Sequence, residues 1–146
     1  MSKSLILKEL MEYQGTDFIV TVDMLEFIQN IKTISKEVLE CLLVTAFEGG
    51  SMWFITKVIP NRDWMEKKEN FTDFLTRMFM EVDGYELRIY SNDDEEELLG
   101  TLTYQGIEEA FEKNPYHYGQ FVDESYDADT ADHIMQFAVM GELVYG

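Results

Sequence analysis

The spacing of apolar residues changes at Gly84, and this change limits the chain to folds that combine helices with strands. Before Gly84 the apolar residues recur every three or four positions, which is the period of an amphipathic helix. After Gly84 they alternate, with Tyr85, Leu87 and Ile89 on one face. With Asn70 as N-cap, the pattern predicts a helix over residues 70–83 followed by a half-buried strand. The apolar helix positions are Phe71, Phe74, Leu75, Met78, Phe79 and Val82.

A second strand is predicted shortly after the first. Residues 98–103 form a β-prone segment, and the acidic residues 93–97 separate it from the strand at 85–90. Two adjacent strands joined by a polar connection favour an antiparallel hairpin whose turn lies in water. Residues 85–103 are therefore predicted to form a hairpin.

Three further helices are indicated by residues typical of helix ends. They cover residues 35–48, 103–114 and 129–140, and their predicted N-caps are Ser35, Thr103 and Asp129. Glycine and proline commonly follow the end of a helix, and these helices are followed by Gly49, Pro115 and Gly141.

The two ends of the chain carry weaker patterns. Residues 5–11 suit a short helix or a strand, residues 16–22 favour a strand, and residues 142–146 favour a short edge strand. A chain of 146 residues can bury about 68–70% of its unfolded surface. The predicted fold is a single α+β domain over residues 1–146, with about four helices packed on a small antiparallel sheet.

The chain has a formal net charge of -18 at pH 7, and most of that charge lies in its second half. Residues 1–77 contain nine Lys/Arg and twelve Asp/Glu, a net charge of -3. Residues 78–146 contain two and seventeen, a net charge of -15. Such a field repels nucleic acids and anionic membranes and attracts basic protein surfaces. The expected partner is a basic protein surface, without direct contact to nucleic acid or membrane.

The sequence also bears on the cellular compartment. No apolar stretch approaches the roughly 20 residues that a membrane-spanning helix needs, and the first residues lack a basic region followed by an apolar core. Cys41 is the only cysteine, so no intrachain disulfide is possible, which fits a reducing compartment. We expect a cytoplasmic protein.

Two regions are candidates for partner binding. The acidic run is either a solvated turn or part of a phosphate-like surface; it consists of Asp93, Asp94, Glu95, Glu96 and Glu97. Aromatic residues with a polar rim are typical of partner-binding surfaces, although aromatic residues are also ordinary core. The second region combines aromatic and acidic residues, namely Tyr116, Tyr118, Asp123, Glu124 and Tyr126.

A metal site is a weaker candidate. Asp127, Asp132 and His133 lie close together in the sequence, and hard cations bind where several carboxylate oxygens converge. The segment does not match a calcium loop. In the alternative interpretation, Asp129 caps the last helix, Asp132 lies in its first turn, and His117 and His133 are surface or interface histidines. No cofactor is expected.

Catalysis is not predicted, because no Ser or Cys in a nucleophile motif accompanies the two histidines. The segments DADTAD at 127–132 and GELVYG at 141–146, with LLVTAFEGG at 42–50, resemble small uncharacterised proteins of tailed phages and prophages. The resemblance implies an accessory protein that acts in the host cell, and it carries no catalytic residue.

The leading hypothesis is a non-enzymatic phage or prophage accessory protein that binds a basic surface of a host protein in the host cytoplasm. Inhibition of a host defence and mimicry of nucleic acid are narrower forms of this hypothesis. One alternative is a small-ligand or metal-binding protein with its site near the start of the last helix. Another is a virion or assembly component.

Overall fold

A computed structural model describes residues 31–145 of the chain. By its internal contacts the chain divides into two units, Met1–Ser35 and Lys36–Gly146, and the elements below belong to the second. The strand predicted at 16–22 and the segment at 5–11 lie outside the described residues. The single domain over residues 1–146 stays a prediction.

The first described helix, α1, spans Lys36–Thr45 and continues into a π-helical segment, Ala46–Gly50. The predicted helix at 35–48 and its end at the glycine pair are confirmed. Gly49 has a φ of 155°, a conformation that side chains with a Cβ rarely adopt, so the chain can leave the helix here. The widened last turn was not predicted.

Helix α2 spans Phe71–Glu81, as the apolar spacing predicted. The side-chain oxygen of Asn70 accepts a hydrogen bond from the backbone N–H of Asp73 at 2.8 Å, which is the expected N-cap. Within this helix the guanidinium of Arg77 pairs at 2.8 Å with Glu69, which precedes the helix. Gly84 follows with a φ of 73° and turns the chain into the sheet.

The sheet contains three antiparallel strands in the order β1-β2-β3: β1 (Phe54–Ile55), β2 (Glu86–Ser91) and β3 (Leu98–Thr103). Strands β2 and β3 form the predicted hairpin, with Leu87 opposite Leu102 and a bulge between Ile89 and Tyr90. Leu87 and Ile89 are buried, Glu86 and Arg88 before and between them are exposed, and Tyr90 is half-buried, which agrees with the predicted alternation. The two-residue strand β1 was not predicted.

Three helices follow the hairpin: α3 (Tyr104–Lys113), α4 (Pro115–Val122) and α5 (Ala128–Met140). Thr103 caps α3 as predicted, because its hydroxyl accepts from the N–H of Gly106 at 2.9 Å. Helix α4 was not predicted, because a proline commonly follows the end of a helix. Proline is also favoured at the first position of a helix, and Pro115 occupies that position in α4. The described residues thus contain five α-helices, and the α+β class is confirmed.

The start of α5 differs from the prediction. Asp127 is the N-cap, and Asp129 lies in the first turn. The carboxylate of Asp127 accepts from the N–H of Thr130 at 2.9 Å, while the hydroxyl of Thr130 accepts from the N–H of Asp127 at 3.3 Å. This reciprocal arrangement requires a side-chain acceptor three residues after the cap, and the hydroxyl of Thr130 supplies it. Gly141 ends α5 in the left-handed conformation, as predicted.

The predicted edge strand at 142–146 is wrong for the described residues 142–145, which form no strand. Val144 and Tyr145 bond to the buried side chain of Gln136 instead. Its amide oxygen accepts from the N–H groups of Val144 and Tyr145 at 2.8 Å each, and its amide nitrogen donates to the carbonyl of Tyr145 at 3.0 Å. A side chain thus supplies the hydrogen bonds that a neighbouring strand would have supplied.

Helix α5 packs against α3, β3 and the π-helical segment. Close approach of backbones occurs at three glycines. A Cβ on Gly100 would lie 2.3 Å from the carbonyl oxygen of Val139, and one on Gly106 would lie 3.0 Å from that of Ala138. A Cβ on Gly50 would lie 3.4 Å from the carbonyl of Ala128 and 2.6 Å from that of Thr45. The core lies between these elements and includes Leu39, Leu42, Leu43, Phe74, Leu75, Phe79, Leu87, Ile89, Leu102, Ile107 and Ile134.

Candidate functional site

The connection between β2 and β3 carries the acidic run, and every residue from 92 to 98 is exposed. We call residues 93–97 the acidic turn. The hydroxyl of Ser91 accepts from the N–H groups of Asp93 and Asp94 at 3.2 and 3.3 Å. The N–H of Glu97 donates to the carbonyl of Asp94 at 2.9 Å, and the carbonyl of Glu97 accepts from the N–H of Ser91 at 2.9 Å. The turn therefore presents its carboxylates from a backbone with defined hydrogen bonds.

The acidic turn is also connected to the segment before β1. The N–H of Asn92 donates to the carbonyl of Trp53 at 2.9 Å, and its side-chain amide donates to the carbonyl of Met52 at 3.1 Å. Strand β1 pairs with β2 directly beside this point, with Phe54 opposite Ser91. One end of the turn is thus held by the continuous segment 52–54.

Trp53 lies between the turn and helix α5. Its indole N–H donates to Oδ1 of Asp132 at 2.6 Å, and the hydroxyl of Ser51 donates to the same oxygen at 2.7 Å. The other carboxylate oxygen accepts from the amide of Gln136 at 2.8 Å. The Trp53 ring stacks on Tyr145 with a centroid separation of 5.5 Å. Asp132 therefore joins helix α5 to the segment before β1 through hydrogen bonds.

The structure separates the three residues that the sequence suggested as metal ligands. Asp127 caps α5, Asp132 receives the bonds from Ser51, Trp53 and Gln136, and His133 faces His117. Hydrogen bonds from the backbone and hydroxyl of Thr130 hold the pKa of Asp127 below its usual value, with a smaller contribution from His117. Over residues 31–145 there is no group of three or more His, Cys, Asp or Glu side chains arranged to hold a metal ion.

The second candidate region lies on and after α4. Tyr116 has 77% of its surface exposed, and Asp123 and Glu124 are also exposed. Tyr118 packs against Phe111 with ring centroids 5.1 Å apart, and Tyr126 stacks on Phe121 at 4.5 Å. Hydrogen bonding with Cys41 raises the pKa of the Tyr126 hydroxyl, and burial adds to this effect. The residues of this region that are most accessible to a partner are therefore Tyr116, Asp123 and Glu124.

A pair of histidines lies between α4 and α5. Nε2 of His117 is 3.2 Å from Nδ1 of His133, and Nδ1 of His117 is 2.9 Å from the amide oxygen of Gln120. The sequence pattern did not predict that these histidines meet, because it did not predict α4. If α4 and α5 had been predicted as neighbouring helices, the presence of one histidine on each would have indicated that the two histidines could meet.

No protein family, curated protein or solved structure matches the chain. Among the described residues, no helix has the length and apolar character required to cross a membrane.

Proposed function

We propose that this chain is a non-enzymatic binding protein that docks on a basic surface of another protein through the acidic turn. The observation that carries the proposal is the combination of five consecutive exposed carboxylates with a backbone fixed by hydrogen bonds. In line with the phage resemblance, the proposed partner is a host protein.

The fixed backbone matters because ordering a loop at an interface reduces affinity. In the acidic turn that ordering is already present before a partner arrives. The amide N–H of Glu96 also donates to the Asp94 side chain at 3.1 Å, which adds a local restraint. A partner with several Lys or Arg side chains could thus meet the carboxylates with little loss of backbone freedom.

The charge of the whole chain supports the same proposal. A net charge of -18 attracts a basic surface over about one Debye length, which is about 10 Å at 0.1 M salt. Such attraction acts mainly on the rate of association. Tyr116, Asp123 and Glu124 are proposed as additional contacts, since their side chains are exposed.

The test compares two variants of equal charge in affinity capture from nuclease-treated host lysate. In the turn variant Asp93 and Asp94 become Asn, and Glu95, Glu96 and Glu97 become Gln. In the control variant five other exposed acids are converted to amides: Glu48, Asp63, Glu81, Glu86 and Glu109. Both variants have a net charge of -13, because each loses five negative charges from -18.

We expect the wild-type chain and the control variant to capture a basic partner at low salt and to release it at high salt. The turn variant should not capture this partner. Capture that is equal for the two variants would show that total charge, and not the acidic turn, determines binding. Failure to recover any basic protein at low salt would contradict the proposal. Displacement of a captured partner by duplex DNA would support the narrower form in which the chain mimics nucleic acid.

A further inference from the structure

We propose that His117 and His133 form a two-histidine binding site for a transition-metal ion such as Zn²⁺, Ni²⁺ or Cu²⁺. Imidazole nitrogens are common ligands of these ions. The site lies between α4 and α5 and shares no residue with the acidic turn. Of the three residues that the sequence suggested as metal ligands, only His133 belongs to this pair.

The separation of the two nitrogens is that of neighbouring ligands on one ion. A zinc–nitrogen bond is about 2.0–2.1 Å long, so two ligands of a tetrahedral ion lie about 3.3 Å apart. Ligands at right angles, as in square-planar Cu²⁺ or Ni²⁺ sites, lie about 2.9 Å apart for similar bond lengths. The observed 3.2 Å between Nε2 of His117 and Nδ1 of His133 falls between these values.

The neighbour of His117 sets the tautomer that metal binding needs. The amide oxygen of Gln120 can only accept, so Nδ1 of His117 carries the proton and donates to it at 2.9 Å. Nε2 then has a free lone pair directed to the side of His133. Metal-binding histidines commonly donate their second ring nitrogen in this way, which fixes the ring orientation.

In the metal-free protein, Nδ1 of His133 can donate its proton to Nε2 of His117 across the same 3.2 Å. Metal binding removes this proton to solvent, and Nε2 of His133 takes up a proton to keep the ring neutral. The ion then bonds to both nitrogens from a position off the line that joins them, because two bonds of about 2.0–2.1 Å are together longer than the 3.2 Å separation.

The surroundings of the pair suit an ion that exchanges with solvent. Both histidines are partly exposed. Water would complete the coordination, because the described residues provide no third protein ligand in a metal-binding group. Hard cations such as Ca²⁺ and Mg²⁺ prefer oxygen ligands, so they are not expected here.

The experiment measures the melting temperature of the full chain, free of any histidine tag, with increasing ZnCl₂, NiCl₂ or CuCl₂. A ligand that binds the folded state stabilises it by mass action, so at least one of the three ions should raise the melting temperature in a saturable manner. The proposal is overturned if none of them does. CaCl₂ is the matched control and should give no shift that depends on either histidine.

Variants locate the site. The variants His117→Gln and His133→Gln should each lose the metal-dependent shift while keeping a melting temperature near that of the wild type without metal. Gln120→Leu removes a hydrogen-bonding partner of a ligand, which typically weakens metal affinity by about 10–100-fold. A metal-dependent shift that persists in either His variant would overturn the proposal, because the ion would then bind elsewhere.

Two further measurements separate this site from the acidic turn. The turn variant with five amides should bind the ion as the wild type does, and loss of metal binding in it would contradict the proposed location. Nitrogen chemical shifts of the imidazole rings should move at Nε2 of His117 and Nδ1 of His133 on addition of Zn²⁺. Unchanged shifts at these atoms in the presence of saturating Zn²⁺ would overturn the assignment.

Discussion

The indole N–H of Trp53 lies 2.6 Å from Oδ1 of Asp132, although the two residues are 79 positions apart in the chain. Through its carbonyl, Trp53 also accepts the hydrogen bond of Asn92 at the start of the acidic turn. Trp53 thus contacts α5 through its side chain and the connection between β2 and β3 through its backbone carbonyl. Asp132, which the sequence suggested as a metal ligand, has a structural role in this arrangement.

Replacement of Trp53 by Phe should reduce the free energy of unfolding by about 1.5–3 kcal/mol, the range for a hydrogen bond to a charged group. The measurement is urea denaturation. Trp64→Phe is the control, because Trp64 is 52% exposed and its loss should cost no more than about 0.5 kcal/mol. A double-mutant cycle with Asp132→Ala should give a coupling energy of at least about 0.5 kcal/mol. Additive losses would show that the bond contributes nothing to stability.

Gly100 and Gly119 should respond in opposite directions to replacement by Ala. A Cβ on Gly100 meets the carbonyl oxygen of Val139 at 2.3 Å, so Gly100→Ala forces a backbone shift and should cost about 1–3 kcal/mol. Gly119 lies in α4 with nothing within 4 Å of its added Cβ, so Gly119→Ala should stabilise the protein by about 0.5–1 kcal/mol. Thermal denaturation measures both. Equal effects would argue against the close approach of α5 to β3.

Gln136→Leu should release the residues after α5 from the helix. Leu approximates the volume of Gln but cannot bond to the N–H groups of Val144 and Tyr145. Hydrogen exchange followed by NMR should then become faster at these two amides. The N–H of Gly141, which donates to the carbonyl of Phe137 inside the helix end, should keep its protection and serves as the internal control. Unchanged exchange at residues 144 and 145 would mean that Gln136 does not hold them.

Tyr85 should make stability depend on pH in the alkaline range. Burial raises the pKa of its hydroxyl to about 12, whereas an unfolded chain titrates tyrosine near about 10. Between these values the unfolded state has lost the proton and the folded state retains it, so the free energy of unfolding falls as pH rises. Below a pH of about 10 the contribution is constant.

The variant Tyr85→Phe tests this pH dependence. It removes the hydroxyl that donates to the carbonyl of Pro60 at 2.9 Å, and with it the titrating group. Urea denaturation at a series of pH values should show a smaller decline for the variant than for the wild type above pH of about 10. Parallel curves for the two proteins would contradict the raised pKa.

Local signals predicted much of the fold. The cap at Asn70, the cap at Thr103 and the alternation of Leu87 and Ile89 each depend on residues within a few positions, and all three are confirmed. Helix α4 was missed because Pro115 serves as both the end of one helix and the start of the next. Strand β1 has only two residues, which is too short for a periodic pattern.

The part of the candidate site that consists of adjacent residues could be predicted from the sequence. The contacts between residues that are far apart in the chain could not. Five adjacent acids in a hairpin connection indicated an exposed turn directly. The fixed backbone of that turn depends in part on Trp53, which is 39 positions before Asn92, and no local pattern relates the two. For the same reason the role of Asp132 and the pairing of His117 with His133 required the packing of α5 against its neighbours.

The glycines beneath α5 bear on how distant relatives of this chain could be recognised. A Cβ on Gly100 or Gly106 would meet a backbone carbonyl oxygen of α5 at 2.3 or 3.0 Å, and a Cβ on Gly50 would meet the carbonyl oxygen of Thr45 at 2.6 Å. Surface carboxylates can change position during evolution while the overall negative field is kept, but a larger residue at any of these three positions would displace the backbone that faces it. Ancestry should therefore be traced through the spacing of these glycines before it is sought in the acidic residues.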